Sequence, residues 1–500
     1  MITFKPDCTR PEGSEGFVQG PDVRSTLDIV WACLSIIVLS TWTVLHLNVG
    51  PQVTPVTKTQ FIRVQISSAM RKIKWMAVSL FAPEIVLGYA VNNLWTAWKN
   101  TPKLLALAKA DNVPWSLTHT LLANMGGFAL HFSHTACQQD PSAGVTGENG
   151  CEAGIPGSRT TAGGNRGTER AGAESHMVAW ADALGAYRKL RAYGEHKWTP
   201  CELHSAHARK MLSRYTGEFY RDMAIRHQGH TWTVDSTQLI VCRELGIISC
   251  LPRVSEAEIS DKSNSDAMVK VIAVVQVAWL WVQLVVRRVK GLPPTILELV
   301  TAAFSVVAFM LYAVQWPKPK DVQTMINIDA DKQVKPKEFM TIVRHAPLVF
   351  FPRSKMYNIR SHSLHVVAGK DPDARIVTSC ASAAGGAIFG ALHLLGWNAT
   401  LPTHVEMVLW KVALLTTVLV PLAVTIFFIM HAKLDKMGLG VDLSTGTTIA
   451  LAILGLTVTL ITGIYAVARL FILVEAFRSL YFLPPAAFIS SWASNLPHIG

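Results

Sequence analysis

The sequence predicts an all-α fold, a polytopic transmembrane helical bundle of about seven spans with two extramembrane segments. Half of the 500 residues are hydrophobic and only 16% are charged, whereas soluble proteins carry about 25% charged residues. The apolar residues fall into separate blocks of about 20, the length that a helix needs to cross a bilayer. Lipid offers no partners to backbone amides, so such blocks must be helical.

The apolar blocks and the polar segments between them divide the chain into seven parts. These are the N-terminal tail 1–25, the first two spans in 26–98, an extramembrane region 99–266, a transmembrane hairpin in 267–316, a second extramembrane segment 317–375, the last three spans with an amphipathic extension in 376–482, and the C-terminal tail 483–500. The spans are predicted at 26–47, 75–98, 268–286, 296–315, 376–395, 410–430 and 447–468. Small residues in the fifth span predict close helix packing.

Local signals refine this division. Pro83 interrupts the second span, and a basic amphipathic stretch before it predicts an interfacial helix. The apolar run 121–130 is too short to cross a bilayer, so it predicts a re-entrant or small buried element. The Gly-rich stretch 138–175 has little to bury and predicts disorder. Ser255 followed by Glu258 fits a capping box, which predicts a helix that enters the third span.

The sidedness of the bundle stays open at this stage. The basic stretches 71–74 and 287–290 both face the cytosol if the N-terminus lies outside. The opposite topology places the glycosylation sequon at Asn398 outside the cytosol. The positive charges of the two basic stretches favour an N-terminus that lies outside. The extramembrane region 99–266 contains five cysteines, which form disulfides if it faces an oxidising lumen and are otherwise free. They are Cys137, Cys151, Cys201, Cys242 and Cys250.

Several short motifs resemble a large and mostly uncharacterised group of fungal multi-span membrane proteins. They are DIVWACL at 28–34 with His46 and Asn48, MGGF at 125–128, EISDKS at 258–263, Gln276 with Trp279, GLPPTILE at 291–298, WPKPKDV at 316–322, GALHLLGW at 390–397 and LPHI at 496–499. They cover nearly the whole chain outside 138–175, which looks like an insertion. The resemblance implies a fungal membrane protein of about seven spans and implies no shared activity.

Ionisable side chains inside the predicted spans are the candidate functional residues, because each costs about 2.5–3.5 kcal/mol at a helix centre. Glu84, Glu298 and His393 are the predicted catalytic set, in which a buried carboxylic acid donates a proton and a neutral histidine accepts one. The predicted binding residues are Asp28, His46, Trp279 and Glu406. The structural alternative is that these groups pair with one another or reach water.

No cofactor or metal is predicted. The sequence has no P-loop, nucleophile elbow or dinucleotide fingerprint. Four His-x-x-His pairs have a spacing that could bind a metal on a helix, but chance pairing explains them better. They are His131/His134, His204/His207, His227/His230 and His362/His365. The net charge of +12 fits anionic headgroups, and no motif indicates nucleic acid.

The predicted function is therefore a membrane-embedded isomerase- or cyclase-type enzyme that acts on a small lipophilic metabolite by acid–base chemistry. The alternatives are a secondary transporter that uses the same buried groups, and a non-catalytic receptor or scaffold. The halves of the chain show no inverted repeat, which counts against a transporter. The predicted partners are the lipid bilayer and a small lipophilic ligand, and the predicted location is an endomembrane or the plasma membrane.

Overall fold

The structure is a computed structural model that describes residues 24–50, 52, 57–131, 231–263, 267–332, 371–399, 401–436 and 445–490, with isolated residues between 334 and 367. The predicted disordered stretch 138–175 lies outside these residues. So does at least one member of each of the four predicted His pairs.

Most of the described chain is helical. The helices are α1 (Thr26–Val44), α2 (Lys58–Phe81), α3 (Pro83–Ala110), α4 (Leu117–Asn124), α5 (Ser236–Glu244), α6 (Glu256–Lys262), α7 (Ala267–Val289), α8 (Ile296–Gln315), α9 (Pro372–His393), α10 (His404–Lys436) and α11 (Thr445–Arg478). The strands are β1 (Phe128–His131), β2 (Thr231–Val234) and β3 (Ile326–Asp329), and short 3-10 turns cover Leu394–Gly396, Ser479–Phe482 and Pro485–Phe488.

Six of the described helices are each long and apolar enough to cross a membrane, and they are α1, α7, α8, α9, α10 and α11. α8 has the bounds predicted for the fourth span. α2 and α3 meet the same criterion only as a pair, so the described chain has six candidate spans, or seven if that pair is one span. These apolar helices fit a lipid bilayer environment.

The chain turns sharply where the second span was predicted. α2 and α3 are bent by 107° at Ala82, whose backbone (φ −144°, ψ 62°) is not helical. Pro83 has no amide hydrogen to continue α2, and its fixed φ suits the first position of a new helix. The predicted break at Pro83 is confirmed. The predicted span 75–98 therefore falls on two helices of different direction, which form either one broken span or a re-entrant pair.

The predicted helix at Ser255 ends before the third span begins. Ser255 caps α6 by accepting the amide hydrogen of Glu258. α6 stops at Lys262, and α7 starts at Ala267. The cap is therefore confirmed, but the prediction that its helix enters the span is wrong.

A small three-stranded sheet, which was not predicted, packs with α4 and α5. β1 lies between β2, to which it is antiparallel, and β3, to which it is parallel. The run 121–130 forms the end of α4 and most of β1, joined at Gly126 (φ +80°), so it is a small buried element. Cys250 is disulfide-bonded, with a partner outside the described residues, whereas Cys242 is free and buried.

The bundle has two ends, which we call the sheet end and the tail end. At the sheet end the segment after α1 joins the sheet, since the Val49 amide donates to the Met125 carbonyl at 3.0 Å. At the tail end the segment before α1 meets the C-terminal turn, since the Arg24 amide donates to the Phe488 carbonyl at 2.9 Å.

Small residues set the spacing between the central helices, as predicted for the fifth span. A Cβ atom on Gly88 of α3 would lie 2.8 Å from the Thr378 carbonyl oxygen of α9. A Cβ atom on Gly390 of α9 would lie 3.0 Å from the Thr417 carbonyl oxygen of α10. Both distances are below ordinary contact, so α9 can approach its two neighbours only because these positions are glycine.

Candidate functional site

Glu84 lies in the first turn of α3, directly after the break, and it is buried in an ion pair. Its Oε2 atom is 2.6 Å from Nη2 of Arg469 on α11. Its Oε1 atom accepts a hydrogen bond from the Tyr465 hydroxyl. Arg469 Nε also donates to that hydroxyl, at 2.9 Å. Because Tyr465 and Arg469 are one helical turn apart, they lie on one face of α11 and form a closed triad with Glu84.

His393 is connected to this triad through one aromatic ring. The Arg469 guanidinium lies over the Phe389 ring, 3.7 Å from its centroid. The His393 ring packs against the same phenyl group at a centroid distance of 4.3 Å. Phe389 and His393 are one turn apart on α9, so this helix supplies both the platform for the cation and the imidazole.

The hydrogen bonds of His393 define its tautomer. Nδ1 lies 2.7 Å from the Phe389 carbonyl oxygen, which can only accept, so Nδ1 carries the hydrogen. Nε2 of the neutral ring then presents a lone pair, and it has no hydrogen-bond partner in the structure although the side chain is only 2% exposed. A buried acceptor without a protein donor is costly to leave in a folded protein, so a water molecule or a ligand is expected to meet it.

His393 and Arg469 line one cavity, which we call the inner cavity. Its remaining walls are apolar and come from α1, α2, α8, α9 and α11, namely Ile37, Leu80, Phe81, Val300, Phe304, Phe389, Ile472 and Leu473. Its free volume is about 20 Å³, which is enough for about one water molecule. The arrangement therefore combines a basic nitrogen and a guanidinium inside an otherwise apolar chamber.

Glu298, the third predicted catalytic residue, lies elsewhere. It is in the first turn of α8 at the tail end, where it forms an ion pair with Arg24. It also accepts from the Thr295 amide and hydroxyl at 2.8 and 2.9 Å. The structure thus brings Glu84 and His393 close to one another and leaves Glu298 in a separate capping cluster.

The four predicted binding residues are dispersed. Asp28 is exposed and closes the capping box of α1 with Ser25. Glu406 is paired with Arg478 at 2.8 Å near the tail end. Trp279 lies half-buried on α7, and His46 is buried at the sheet end.

The sequence analysis missed the partners that give the site its geometry. Arg469 and Tyr465 were outside the predicted set, although an arginine within an apolar helix is itself an unusual signal.

Among the residues that the structure describes, no three His, Cys, Asp or Glu side chains come together as a metal site requires.

The fold and the site define a mainly helical protein in which apolar candidate spans surround a buried carboxylate–tyrosine–arginine triad. The chain belongs to a family of unknown function (DUF8562), which it matches over residues 1–148, 232–346 and 366–499. The match omits 149–231, which includes most of the stretch predicted to be an insertion. No curated protein and no solved structure matches the chain.

Proposed function

We propose that this protein is a membrane-embedded enzyme that moves a proton within a small lipophilic molecule, as an isomerase or a cyclase does. One observation supports it above the others: His393, whose Nε2 atom has no hydrogen-bond partner, and Arg469 line the same apolar cavity. A neutral imidazole nitrogen can accept a proton, and a fixed cation stabilises the oxyanion that forms when a proton leaves a carbon next to a carbonyl group.

The proposed reaction is balanced without a cofactor. Nε2 of His393 takes a proton from one carbon of the substrate, and Arg469 stabilises the resulting enolate oxygen. In an isomerase the same nitrogen returns the proton to another carbon of the enolate. In a cyclase the enolate carbon adds to a conjugated double bond, which closes the ring, and the nitrogen returns the proton to the carbanion that this addition forms. Glu84 and Tyr465 are positioning residues here, because they hold the guanidinium through the contacts described above.

The substrate must enter by a local opening, since the inner cavity has room for about one water molecule. Phe81 is the wall residue best suited to move. Its side chain is 40% exposed at the outside of the bundle, and it ends α2 next to the break at Ala82. Entry at this position comes from the lipid phase, so the substrate is expected to be lipophilic.

This function predicts that the enzyme incorporates deuterium from solvent into its substrate. The full chain, reconstituted in nanodiscs, would be incubated in D2O with an organic extract of its native membranes. High-resolution mass spectrometry would then detect lipophilic molecules that gain carbon-bound deuterium. We expect the His393→Gln variant to lose the labelling by about 100-fold or more, as is typical when a general base is removed.

The matched control is His404→Gln, since His404 is an exposed histidine at the start of α10. This variant should label at the wild-type rate. The enzyme proposal fails if the wild type labels no molecule above an empty-nanodisc background, or if His393→Gln labels as fast as the control.

A proton-coupled carrier is the second candidate, and the broken helix pair supports it. Carrier sites are commonly formed by discontinuous helices near the middle of the membrane, and Glu84 lies at such a break. A carrier would show proton flux in proteoliposomes that contain a pH-sensitive dye, and Glu84→Gln would abolish that flux. Deuterium labelling without flux supports the enzyme, and flux without labelling supports the carrier.

The transmembrane topology that accompanies this function has six crossings and one re-entrant helix pair. The bonded Arg24 and Phe488 backbones place both ends of the described chain at the tail end, which requires an even number of crossings. The chain enters α2 from the sheet end, since Gln52, six residues before the helix, donates to the Gln323 carbonyl oxygen at 2.7 Å, and Lys72 within α2 pairs with Asp321 at 2.9 Å. α3 ends there too, where the Asn100 amide donates to the Ser236 hydroxyl at 2.8 Å. The pair therefore enters and leaves on one side.

The sheet end faces an oxidising compartment in this proposal. Cys250 belongs to the sheet end and is disulfide-bonded, and disulfides persist in such compartments. Arg288 and Lys290 lie exposed in the short loop at the tail end, as expected for a cytosolic loop. The N-terminus is then cytosolic. The sequence analysis, which assumed seven spans, favoured the opposite orientation because of the basic stretches 71–74 and 287–290.

Cysteine labelling of sealed microsomes would test this topology. We expect a membrane-impermeant maleimide to label Lys290→Cys without detergent and Lys58→Cys only after detergent, because both positions are exposed and lie at opposite ends. If the chain crosses seven times with the N-terminus outside the cytosol, both variants would be labelled without detergent. If it crosses seven times with the N-terminus in the cytosol, neither variant would be labelled. Six crossings in the reverse orientation would label Lys58→Cys alone.

A further inference from the structure

A second buried cavity lies at the sheet end, remote from the triad, and we call it the sheet-end cavity. Its polar lining comes from His46, Asn48, Asn93, Gln315, Lys318 and His365. Tyr89 and four aliphatic residues complete the walls. The free volume is about 10 Å³, which is about the space of a single water molecule.

Lys318 brings a positive charge into this cavity without a matching carboxylate. It is only 7% exposed, and its ammonium donates to the His46 carbonyl oxygen at 3.0 Å. Among the described residues no Asp or Glu pairs with it, and none lines the cavity. Burial lowers the pKa of Lys318 to about 8, so at pH 7 the side chain is still mostly protonated. A buried cation without a counter-ion is strongly unfavourable.

His365 adds a hydrogen-bond donor. The Asn48 side-chain amide donates to Nδ1 of His365 at 2.8 Å, so the hydrogen of the neutral ring is on Nε2. This nitrogen has no partner within strict hydrogen-bonding geometry. The Asn124 backbone carbonyl attracts its hydrogen and raises the pKa of the ring slightly, so a bound anion would share this donor with the carbonyl. Burial and the charge of Lys318 lower the pKa of His365 to about 3, which keeps it a neutral donor.

We infer that the sheet-end cavity binds one chloride-sized anion between the Lys318 ammonium and Nε2–H of His365. The charge and the donors favour an anion, and the cavity is too small for a carboxylate or a phosphate. A chloride ion is larger than the water molecule that this volume holds, so its binding would displace the lining side chains slightly. A water molecule would satisfy the hydrogen bonds, but it would leave the buried charge of Lys318 uncompensated.

His46 couples the anion site to protons. Its Nδ1 lies 3.2 Å from the Val44 carbonyl oxygen and donates to it, so Nε2 presents a lone pair, which has no partner. Burial and then Lys318 lower the pKa of His46 well below its usual range. A bound anion would oppose this effect and favour protonation of Nε2, which would give the anion a third donor.

The pH dependence follows from the groups that face Lys318. These are His46, His365 and Tyr89, with Lys320 and Lys270 acting on His46 from farther away. None of these groups is acidic near neutral pH, so the loss of binding at high pH depends on the charge of Lys318, whereas protonation of His46 strengthens binding at low pH. Protonated Lys318 binds the anion, and binding is lost as the pH rises well above 8.

Thermal unfolding of the full chain in nanodiscs would test the anion site. At pH 7 and constant ionic strength, replacement of gluconate by chloride or bromide is expected to raise Tm saturably by about 2–4 °C. The rise should disappear at pH 10. Lys318→Met should abolish the anion dependence at every pH. Lys320→Met is the matched control and should retain it, because Lys320 caps the α1 carbonyls of Trp42 and Thr43 and does not line the cavity.

Bromide provides a readout that needs no variant, in case Lys318→Met does not fold. Anomalous scattering from crystals of the wild type grown in bromide should locate the ion within hydrogen-bonding distance of Lys318 Nζ. The proposal is overturned by equal Tm values in chloride and gluconate at pH 7, by a Lys318→Met variant that keeps the shift, or by the absence of bromide from this cavity.

Discussion

Replacement of Arg469 by Met is expected to destabilise the protein by about 3–5 kcal/mol, because it leaves the Glu84 carboxylate buried without a partner. Glu84 is 3% exposed and Arg469 6%, so solvent cannot take over the interaction. The guanidinium also holds the Tyr465 hydroxyl and covers the Phe389 ring. One substitution therefore removes the charge balance and the packing of the site together.

Unfolding of the purified variants in detergent, followed by tryptophan fluorescence, would measure this effect. Lys99→Met is the control on α3, the helix that carries Glu84, since Lys99 is 50% exposed in its pair with Asp371. An exposed pair contributes at most about 1 kcal/mol. The double variant Glu84→Gln with Arg469→Met should recover much of the loss, because it removes the uncompensated charge. The ion-pair explanation fails if Arg469→Met costs no more than Lys99→Met.

Replacement of Arg287 by Met is expected to release the C-terminal turn from the bundle, at a cost of about 3–4 kcal/mol. Arg287 is fully buried at the tail end of α7. Its guanidinium donates to the carbonyl oxygens of four residues, Pro293, Ala486, Ala487 and Ile489, at 2.9–3.3 Å. Without it these carbonyls lose a charged donor, and the loop after α7 loses its connection to the C-terminal turn.

Limited proteolysis would measure the release directly, together with the free energy of unfolding. Arg287→Met should be cleaved within 483–490 under conditions in which the wild type is intact. The neighbouring Arg288 is exposed, so Arg288→Met controls for the loss of one positive charge at the same end. Equal protease resistance of the two variants would mean that Arg287 does not hold the turn.

The apolar pattern predicted most of the helices, because the requirement for helical backbone in lipid acts on each segment separately. α8 has the predicted bounds, and α7 extends the predicted third span by a few residues. The pattern could not give the 107° turn between α2 and α3. Pro83 predicts a break, but the angle between α2 and α3 depends on which other helices each of them packs against.

The candidate site was predictable only in part. Glu84 and His393 were selected because ionisable groups are costly inside apolar segments, and that cost can be read from the sequence. Arg469 was not selected as the partner of Glu84, since the two are 385 positions apart. Glu298 satisfied the same criterion and was grouped with them, but it is paired with Arg24 instead.

The sequence by itself determined a largely helical chain with six or seven candidate spans, since length and hydropathy are local properties of each segment. Only the tertiary structure decided which charges pair, which nitrogen atoms stay without partners, and which strands form the sheet. β1, β2 and β3 come from segments separated by about 100 residues each. Such pairings depend on contacts between distant segments, and the packing of the whole chain determines those contacts.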